Sequence, residues 1–172
     1  YVQQPTAVIT FDDFMREYGL PNPTFTFTVS GAILGDSAAN VASGVGVTTA
    51  TIGSNVGNYP ITGQFTSAAG YRLQFVPGTL GITPATLLFT ADSFIRYLGT
   101  ENPLFTGSVT GFRNGDTIES VFGSGVIWNS PAGLLSPIGF YPVNGGSSAT
   151  NYVFVQAPGN ATALQIIPLP QL

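Results

Sequence analysis

Residues 24–30 read Thr-Phe-Thr-Phe-Thr-Val-Ser, so Phe25, Phe27 and Val29 share one face and Thr24, Thr26 and Thr28 the other. Alternation with period two is the pattern of a half-buried β-strand. Short β-branched and aromatic runs, the residues that pleated surfaces prefer, predict further strands at 7–11, 45–52, 59–65, 71–76 and 79–83. A second series is predicted at 87–91, 104–110, 121–128, 138–143, 152–157 and 162–167. Turn residues separate them: Asn22-Pro23, Gly35-Asp36, Pro77-Gly78, Asn114-Gly115-Asp116 and Asn144-Gly145-Gly146. One short segment in each series has helical character. Asp36-Ser37-Ala38-Ala39-Asn40-Val41 opens on a capping residue, and so does Asp116-Thr117-Ile118-Glu119-Ser120-Val121. In the second, Glu119 follows Asp116 by three residues in the manner of a capping box. The expected class is mostly β, with at most one helical turn in each half.

The two series are copies. Residues 6–37 and 86–117 align without gaps at an offset of 80 and are identical at 14 of 32 positions, against about two or three by chance. The identities include Asp12/Asp92, Phe14/Phe94, Arg16/Arg96, Asn22/Asn102, Pro23/Pro103, Gly31/Gly111 and Asp36/Asp116. Tyr71 then matches Tyr152 at offset 81, and Leu80, Ile82 and Pro84 match Leu164, Ile166 and Pro168 at offset 84. Between these blocks the copies diverge. Prolines 5, 84 and 168 punctuate the joins, which gives a first module at 6–84 and a second at 85–168. Residues 1–5 and 169–172 are expected to be joins to neighbouring modules, and the chain to be a piece of a longer one. A boundary with almost no linker points to modules stacked end to end in a semi-rigid array.

Composition removes most chemistry. Of 172 residues only 7% are charged, four of them Arg and eight acidic, for a net charge of −4. A typical domain carries about 25%. Four scattered Arg cannot neutralise a phosphate backbone, so nucleic acid is not an expected partner. With no His and no Cys, zinc, haem, iron–sulfur and thiol chemistry are excluded, and the usual near-neutral general base is missing. No cofactor and no catalytic residue is expected. Mean hydropathy is positive, at +0.31, yet Gly, Pro, Thr and Asn interrupt every apolar run before the ~20 residues of a membrane helix, so membrane insertion is not expected. The absence of Lys also rules out a Lys–Asn isopeptide cross-link, leaving packing and strand pairing to supply stiffness.

Asp12, Asp36, Asp92 and Asp116 recur between copies together with Arg16 and Arg96. They could form a calcium site or an Asp–Arg recognition pair, but no Asp-x-Asp-x-Asp run is present. Loop capping, with one ion pair holding a folded-back loop, is preferred, and no metal site is expected. A glycosidase needs two carboxylates across a cleft, whereas half of the eight acids sit at repeated turn positions. Trp128, the only Trp, is the one candidate ligand-binding residue, since aromatic rings line sugar-binding faces; a core or junction role is the preferred alternative, and Phe140, Tyr141 and Tyr152 share the ambiguity. Gly44-Val45-Gly46 and Gly123-Ser124-Gly125 lack the Gly-Lys-Ser/Thr ending of a phosphate loop. Asn160-Ala161-Thr162 is the sole Asn-x-Ser/Thr sequon.

The stretch Tyr18-Gly19-Leu20-Pro21-Asn22-Pro23-Thr24-Phe25-Thr26-Phe27-Thr28-Val29-Ser30-Gly31, ending in Gly35-Asp36-Ser37, resembles the MBG domain of the YGX type. So does Gly99-Thr100-Glu101-Asn102-Pro103-Leu104-Phe105, ending in Gly111-Phe112-Arg113-Asn114-Gly115-Asp116-Thr117. Val56-Gly57-Asn58-Tyr59-Pro60-Ile61-Thr62 is similar to that family's VGTYxIT strand, and Tyr71 and Tyr152 to the start of its NY strand. The second copy departs from the pattern, with Tyr97-Leu98-Gly99 for Tyr-Gly and a VGxYxIT blurred into residues 132–139. The resemblance implies small modules of a β-grasp-like or immunoglobulin-like kind, found in tandem in very large secreted bacterial surface proteins such as filamentous-haemagglutinin-like adhesins. It implies an extracellular stalk segment serving cell adhesion or biofilm cohesion, with neighbouring modules as partners. The alternatives are a direct binding module for host or matrix glycan and a subunit that polymerises into filaments.

Overall fold

The structure, a computed structural model, describes residues 3–171; Tyr1, Val2 and Leu172, in the two expected joins, lie outside the described residues. The chain divides between Thr83 and Pro84 into two units, each mostly β; the first has one helical turn, whereas the second has two, the 3-10 turn Pro158–Thr162 adding to the single turn expected there.

In the first unit Ala7, Ile9 and Phe11 are the buried face of β1 (Thr6–Phe11). This strand is central in a three-stranded sheet, with β3 (Phe27–Ser30) antiparallel on one side and β6 (Arg72–Val76) parallel on the other. The chain bends at Asp12-Asp13 and enters a second sheet as β2 (Phe14–Glu17), and β6 passes through Pro77 into β7 (Gly78–Thr83) in the same way. The parallel pairs β1/β6 and β2/β7 thus span both sheets. β5 (Gly57–Thr66) and β4 (Ser43–Thr48) complete the second sheet in the order β2-β7-β5-β4, and α1 (Ala38–Val41) precedes β4.

The second unit repeats this plan. β8 (Ala85–Ala91), β10 (Gly107–Thr110) and β14 (Tyr152–Gln156) form the sheet β10-β8-β14. β9 (Phe94–Tyr97), β12 (Gly139–Tyr141) and β15 (Leu164–Ile167) form β9-β15-β12, while β11 (Ile127–Asn129) pairs with β13 (Asn144–Gly146). α2 (Ile118–Phe122) is the counterpart of α1. Phe14 lies opposite Leu80 and Phe94 opposite Leu164, so the offsets of 80 and 84 read from the sequence meet in one register.

Differences from the predicted elements have local causes. β2 and β9 occur where no strand was expected, because each buries an arginine at the position alternation gives to an apolar side chain. The strands predicted at 24–30 and 104–110 shorten to β3 and β10; the Thr26 and Thr106 carbonyls instead accept from the Asp12 and Asp92 amides at the bend. The strand predicted at 45–52 ends at Thr48, since the carbonyls of Ala50 and Thr51 accept from the side chains of Asn22 and Arg16. Residues 121–128 comprise the end of α2 and the start of β11. Residues 138–143 and the predicted turn at 144–146 become β12 and β13, two short strands following the path of β5. Gly57-x-Tyr59-Pro60 recurs there as Gly139-x-Tyr141-Pro142 at offset 82, and the two Tyr hydroxyls donate to the Asn55 and Pro137 carbonyls at 2.9 Å. The caps also move by one residue: Ser37 caps α1, and Thr117 with Ser120 forms the capping box of α2. Asp36 and Asp116 are engaged elsewhere.

The core space is filled by different residues in the two units. In the first, Phe11, Phe27 and Phe65 interlock edge to face, with Phe27 and Phe65 4.8 Å apart. In the second, Gly107 stands at the Phe27 position, Ser147 at that of Phe65, and Trp128 at that of Gly46. A Cβ built on Gly107 would lie 2.4 Å from the Trp128 ring, so the indole occupies the space a Phe would need. Phe89 packs on Trp128 at 6.0 Å and on Phe154 at 4.9 Å. The two solutions are mutually exclusive. Trp128→Gly alone should cost about 3–5 kcal/mol, and Gly107→Phe alone should destabilise through overpacking. The double variant, which installs the first unit's pair, should be less destabilised than the sum by at least ~1 kcal/mol; urea unfolding of the four proteins measures this.

Candidate functional site

Arg16 on β2 follows the bend at Asp12-Asp13, and Asn22 lies six residues later in the loop before β3. Arg16 is only 7% exposed and Arg96 only 5%. A buried guanidinium needs each N–H satisfied. Arg16 Nε donates to Asn22 Oδ1 at 2.8 Å, Nη1 to the Glu17 carbonyl at 3.3 Å and Nη2 to the Thr51 carbonyl at 2.5 Å. Asn22 Nδ2 in turn donates to the Ala50 carbonyl at 2.7 Å. The second unit builds the same node from Arg96, with Asn102 Oδ1 at 2.8 Å and the Tyr97 and Gly133 carbonyls at 3.2 and 2.6 Å. Asn102 Nδ2 reaches the Ala132 carbonyl at 2.6 Å. The ion pair expected between a repeated Asp and Arg is therefore corrected. Both arginines are held by an asparagine and backbone carbonyls, which let the cation bridge two loops without burying a second charge. Burial pushes the Arg16 pKa below its usual value, with Tyr59 opposing.

The repeated aspartates have other partners. Thr26 Oγ1 donates to Asp12, and Thr106 Oγ1 to Asp92 at 2.5 Å, closing the bend between sheets. Tyr71 Oη donates to Asp36 Oδ2 at 2.5 Å and accepts from the Ile33 amide at 2.9 Å. Tyr152 Oη donates to Asp116 Oδ2 at 2.6 Å and accepts from the Arg113 amide at 2.9 Å. Each tyrosine thus pins the turn that follows Gly31 or Gly111. Those glycines have φ of +88° and +105°, and a Cβ there would lie 2.6 and 2.4 Å from the Thr6 and Thr86 carbonyls, so no other residue fits.

Other expected positions resolve as follows. Trp128 is half-buried, with its ring against Phe89 and beside Gly107 and Gly145. Asn160 of the sequon is fully buried: its Nδ2 donates to the Phe89 carbonyl and to Gln156 Oε1, and its Oδ1 accepts from the Ala91 amide. That environment leaves no access for glycosylation in the folded module. Sequence reasoning missed the Asn160–Gln156 pair, whose counterparts in the first unit are Thr79 and Phe75. The signal for the arginine nodes was present, as Arg-x5-Asn-Pro at 16 and at 96.

Among the described residues no three acidic side chains gather where a metal ion could be held. Three shallow clefts of about 290, 340 and 320 Å³ are lined by no ionisable side chain; the first lies between Phe25, Phe27 and Val45. No described helix is long and apolar enough to cross a membrane. Every buried side-chain N and O among the described residues has a hydrogen-bond partner.

Arg16→Ala or Arg96→Ala strips donors from one asparagine and two carbonyls, and should cost about 3 kcal/mol in urea unfolding; Lys, lacking the planar fork, should restore only part of this. The Tyr71 hydroxyl yields a second expectation. Its hydrogen bond to Asp36 raises its pKa above the usual tyrosine value of 10.0. The folded state therefore holds this proton more tightly, and the resulting stability is complete below pH 10 and lost as pH rises through the folded pKa. The difference in melting temperature between wild type and Tyr71→Phe should be constant from pH 7 to 9 and shrink above pH 10.

Searches of curated proteins and of solved structures gave no significant match. Comparison with protein families matches residues 7–81 and again residues 87–162 to the MBG domain (YGX type). The two matches cover most of the chain and fall one in each structural unit. With the arginine–asparagine node, the tyrosine-pinned turn and the strand order all repeated, the chain belongs to the MBG domain (YGX type) family as two tandem copies.

Proposed function

We propose that the two modules are a non-catalytic repeat segment of a large secreted bacterial surface adhesin, serving cell adhesion or biofilm cohesion. MBG domains are repeat domains of bacterial surface proteins, and here two occur in tandem. The single observation that carries the reading is a framework built twice from the same partners: Arg on Asn and carbonyls, Tyr on Asp, Thr on Asp. What both copies keep is structural. Hydrogen bonds close loops, while the side chains that differ are core fillers and outward positions.

The chemistry suits a scaffold outside the cell. The chain has no Cys and the framework needs no disulfide, so it forms in either redox compartment. Outward Thr and Ser hydroxyls keep the strands hydrated while adding no charge, which makes the surface insensitive to salt. Only Pro84 separates β7 from β8, a join with no room for a flexible linker. The glycan-binding alternative has less support, because Trp128 spends its ring on Phe89 and the core.

Mild protease treatment of intact cells of the source organism tests the proposal. The parent protein should be cleaved by protease added outside, and its deletion should reduce attachment or cell–cell cohesion. A parent protein protected until lysis, or a deletion that leaves cohesion unchanged, would contradict it.

A further inference from the structure

Asn-Gly occurs twice in the chain, at Asn114-Gly115 and at Asn144-Gly145, both in the second unit. The pair is chemically labile, because glycine has no side chain to shield its backbone nitrogen from the asparagine amide carbon before it. The fold decides whether that nitrogen is free to attack. Asn114 and Gly115 are the central residues of a turn between β10 and α2, closed by the Asp116 amide donating to the Arg113 carbonyl at 2.9 Å. Asn114 has φ of +55°, the one positive value outside glycine among the described residues, and Gly115 has φ of +75°. Positive φ at both centres is a type I′ turn, in which the third residue's amide makes no bond. Both residues are exposed, and a Cβ built on Gly115 would meet nothing within 4 Å. Among the described residues no hydrogen bond engages the Asn114 side chain or the Gly115 amide.

The other pair supplies an internal control. Asn144 and Gly145 lie in β13, in register with Asn129 and Trp128 of β11. Gly145 is buried; its amide donates to Gln156 Oε1 at 3.1 Å and its carbonyl accepts from Gln156 Nε2 at 2.7 Å. The same dipeptide is thus clamped at one place and loose at the other. The first unit supplies a second control. Leu34 stands at the Asn114 position, in a turn closed by the Asp36 amide donating to the Ile33 carbonyl at 3.1 Å. There only Gly35 has positive φ, so the module's turn does not require an asparagine.

We propose that Asn114 is a self-modification site, converted without an enzyme to isoaspartate and aspartate. The Gly115 nitrogen, giving up its proton to base, attacks Asn114 Cγ. The bond from Cγ to the side-chain nitrogen breaks, that nitrogen leaves as ammonia, and a five-membered succinimide forms. One water then opens the ring. Opening at the Asn114 backbone carbonyl routes the main chain through Cβ and gives isoaspartate, whereas opening at Cγ gives aspartate. Water is taken up, ammonia is released, and one carboxylate is gained. The turn must open for Cγ to come over the nitrogen, so the reaction is slower than in an unfolded chain. At Asn144 the ladder and Gln156 hold it back further. The position of Asn114 gives the modification a consequence. Tyr152 Oη accepts from the Arg113 amide at 2.9 Å and donates to Asp116 Oδ2 at 2.6 Å, on either side of Asn114. Isoaspartate inserts one backbone carbon between these anchors and sets a new carboxylate near Asp116. The tyrosine-pinned turn therefore loosens in the second module, while its twin in the first, with Leu34, stays as it is.

Peptide mapping by mass spectrometry of the full 172-residue chain, kept folded in H₂¹⁸O at neutral pH and sampled over weeks, tests it. The peptide holding Asn114 should lose one nitrogen, gain one ¹⁸O and become a substrate for isoaspartyl methyltransferase, faster as pH is raised. Asn144 should convert at least tenfold more slowly in the folded chain, where its opening is tied to the ladder. In urea the two should convert at comparable rates. Asn114→Leu, which installs the first unit's residue, should abolish the modification and leave the circular dichroism spectrum unchanged. In the aged chain the Arg113 amide should exchange its hydrogen faster than in the fresh one. An Asn114 still intact when the urea-unfolded chain has converted, equal rates at Asn114 and Asn144 in the folded chain, or a product without ¹⁸O overturns the proposal. An Arg113 amide that exchanges no faster after conversion overturns the loosening of the turn.

Discussion

Each module depends on one buried cation with no anion beside it. The Arg16 guanidinium ties β2 to the loop around Asn22 and to the Ala50-Thr51 segment. It holds three stretches of chain that no ladder connects. Leaving those carbonyls and the asparagine amide unpaired would carry the full desolvation penalty of buried polar groups, so the three stretches are set together or not at all. The node ends β4, keeps the Asn22-Pro23 loop over the second sheet and gives β2 its inward arginine. Because the acceptors are neutral, the module needs no buried carboxylate and tolerates a chain with twelve charged residues. Arg96 does the same in the second module through the same six-residue spacing to Asn102.

Around that constant the two modules diverge in compensated steps. Ile9 and Phe11 along β1 become Phe89 and Ala91 along β8, so the large ring moves by one inward position. Phe27 becomes glycine, and Trp128 arrives on the facing strand to use the vacated space. At the second bend, Asp13 accepts from the Thr79 amide in one copy, whereas Asn160 binds the Phe89 carbonyl and the Ala91 amide in the other. Total packing is kept while the identities change, which is the substitution that cores tolerate. Polar nodes have directional partners and cannot be exchanged piecemeal. This accounts for the contrast between invariant Arg, Asn, Tyr and Asp positions and variable aromatics.

Much of this was legible in the sequence. The offset-80 repeat marked the modules, and alternation located β1, β5 through β8 and β14 closely. β2 and β9 were not legible, because an inward arginine reads as a polar interruption until its acceptors are known. Those acceptors lie up to 37 residues away, beyond any local pattern. β13 was hidden because Asn144-Gly145-Gly146 is turn chemistry by composition, yet Gly145 is required there by the ring of Trp128. The aspartates were recognised as repeated loop residues, but their Tyr and Thr partners were not identified. A hydrogen bond between residues 35 apart leaves no trace in one sequence beyond both ends being repeated.

The central claim is that two guanidinium groups, buried on neutral acceptors, lock the two modules. Hydrogen exchange of the arginine Nε–H groups, followed by ¹H–¹⁵N spectroscopy, tests it most directly. Of four arginines, Arg16 and Arg96 are buried, while Arg72 and Arg113 are exposed. The Nε–H signals of Arg16 and Arg96 should be strongly protected and exchange only with cooperative unfolding of their modules, and that of Arg72 should exchange at the rate of a solvated side chain. Arg16 and Arg96 Nε–H groups exchanging at that solvated rate would contradict the account.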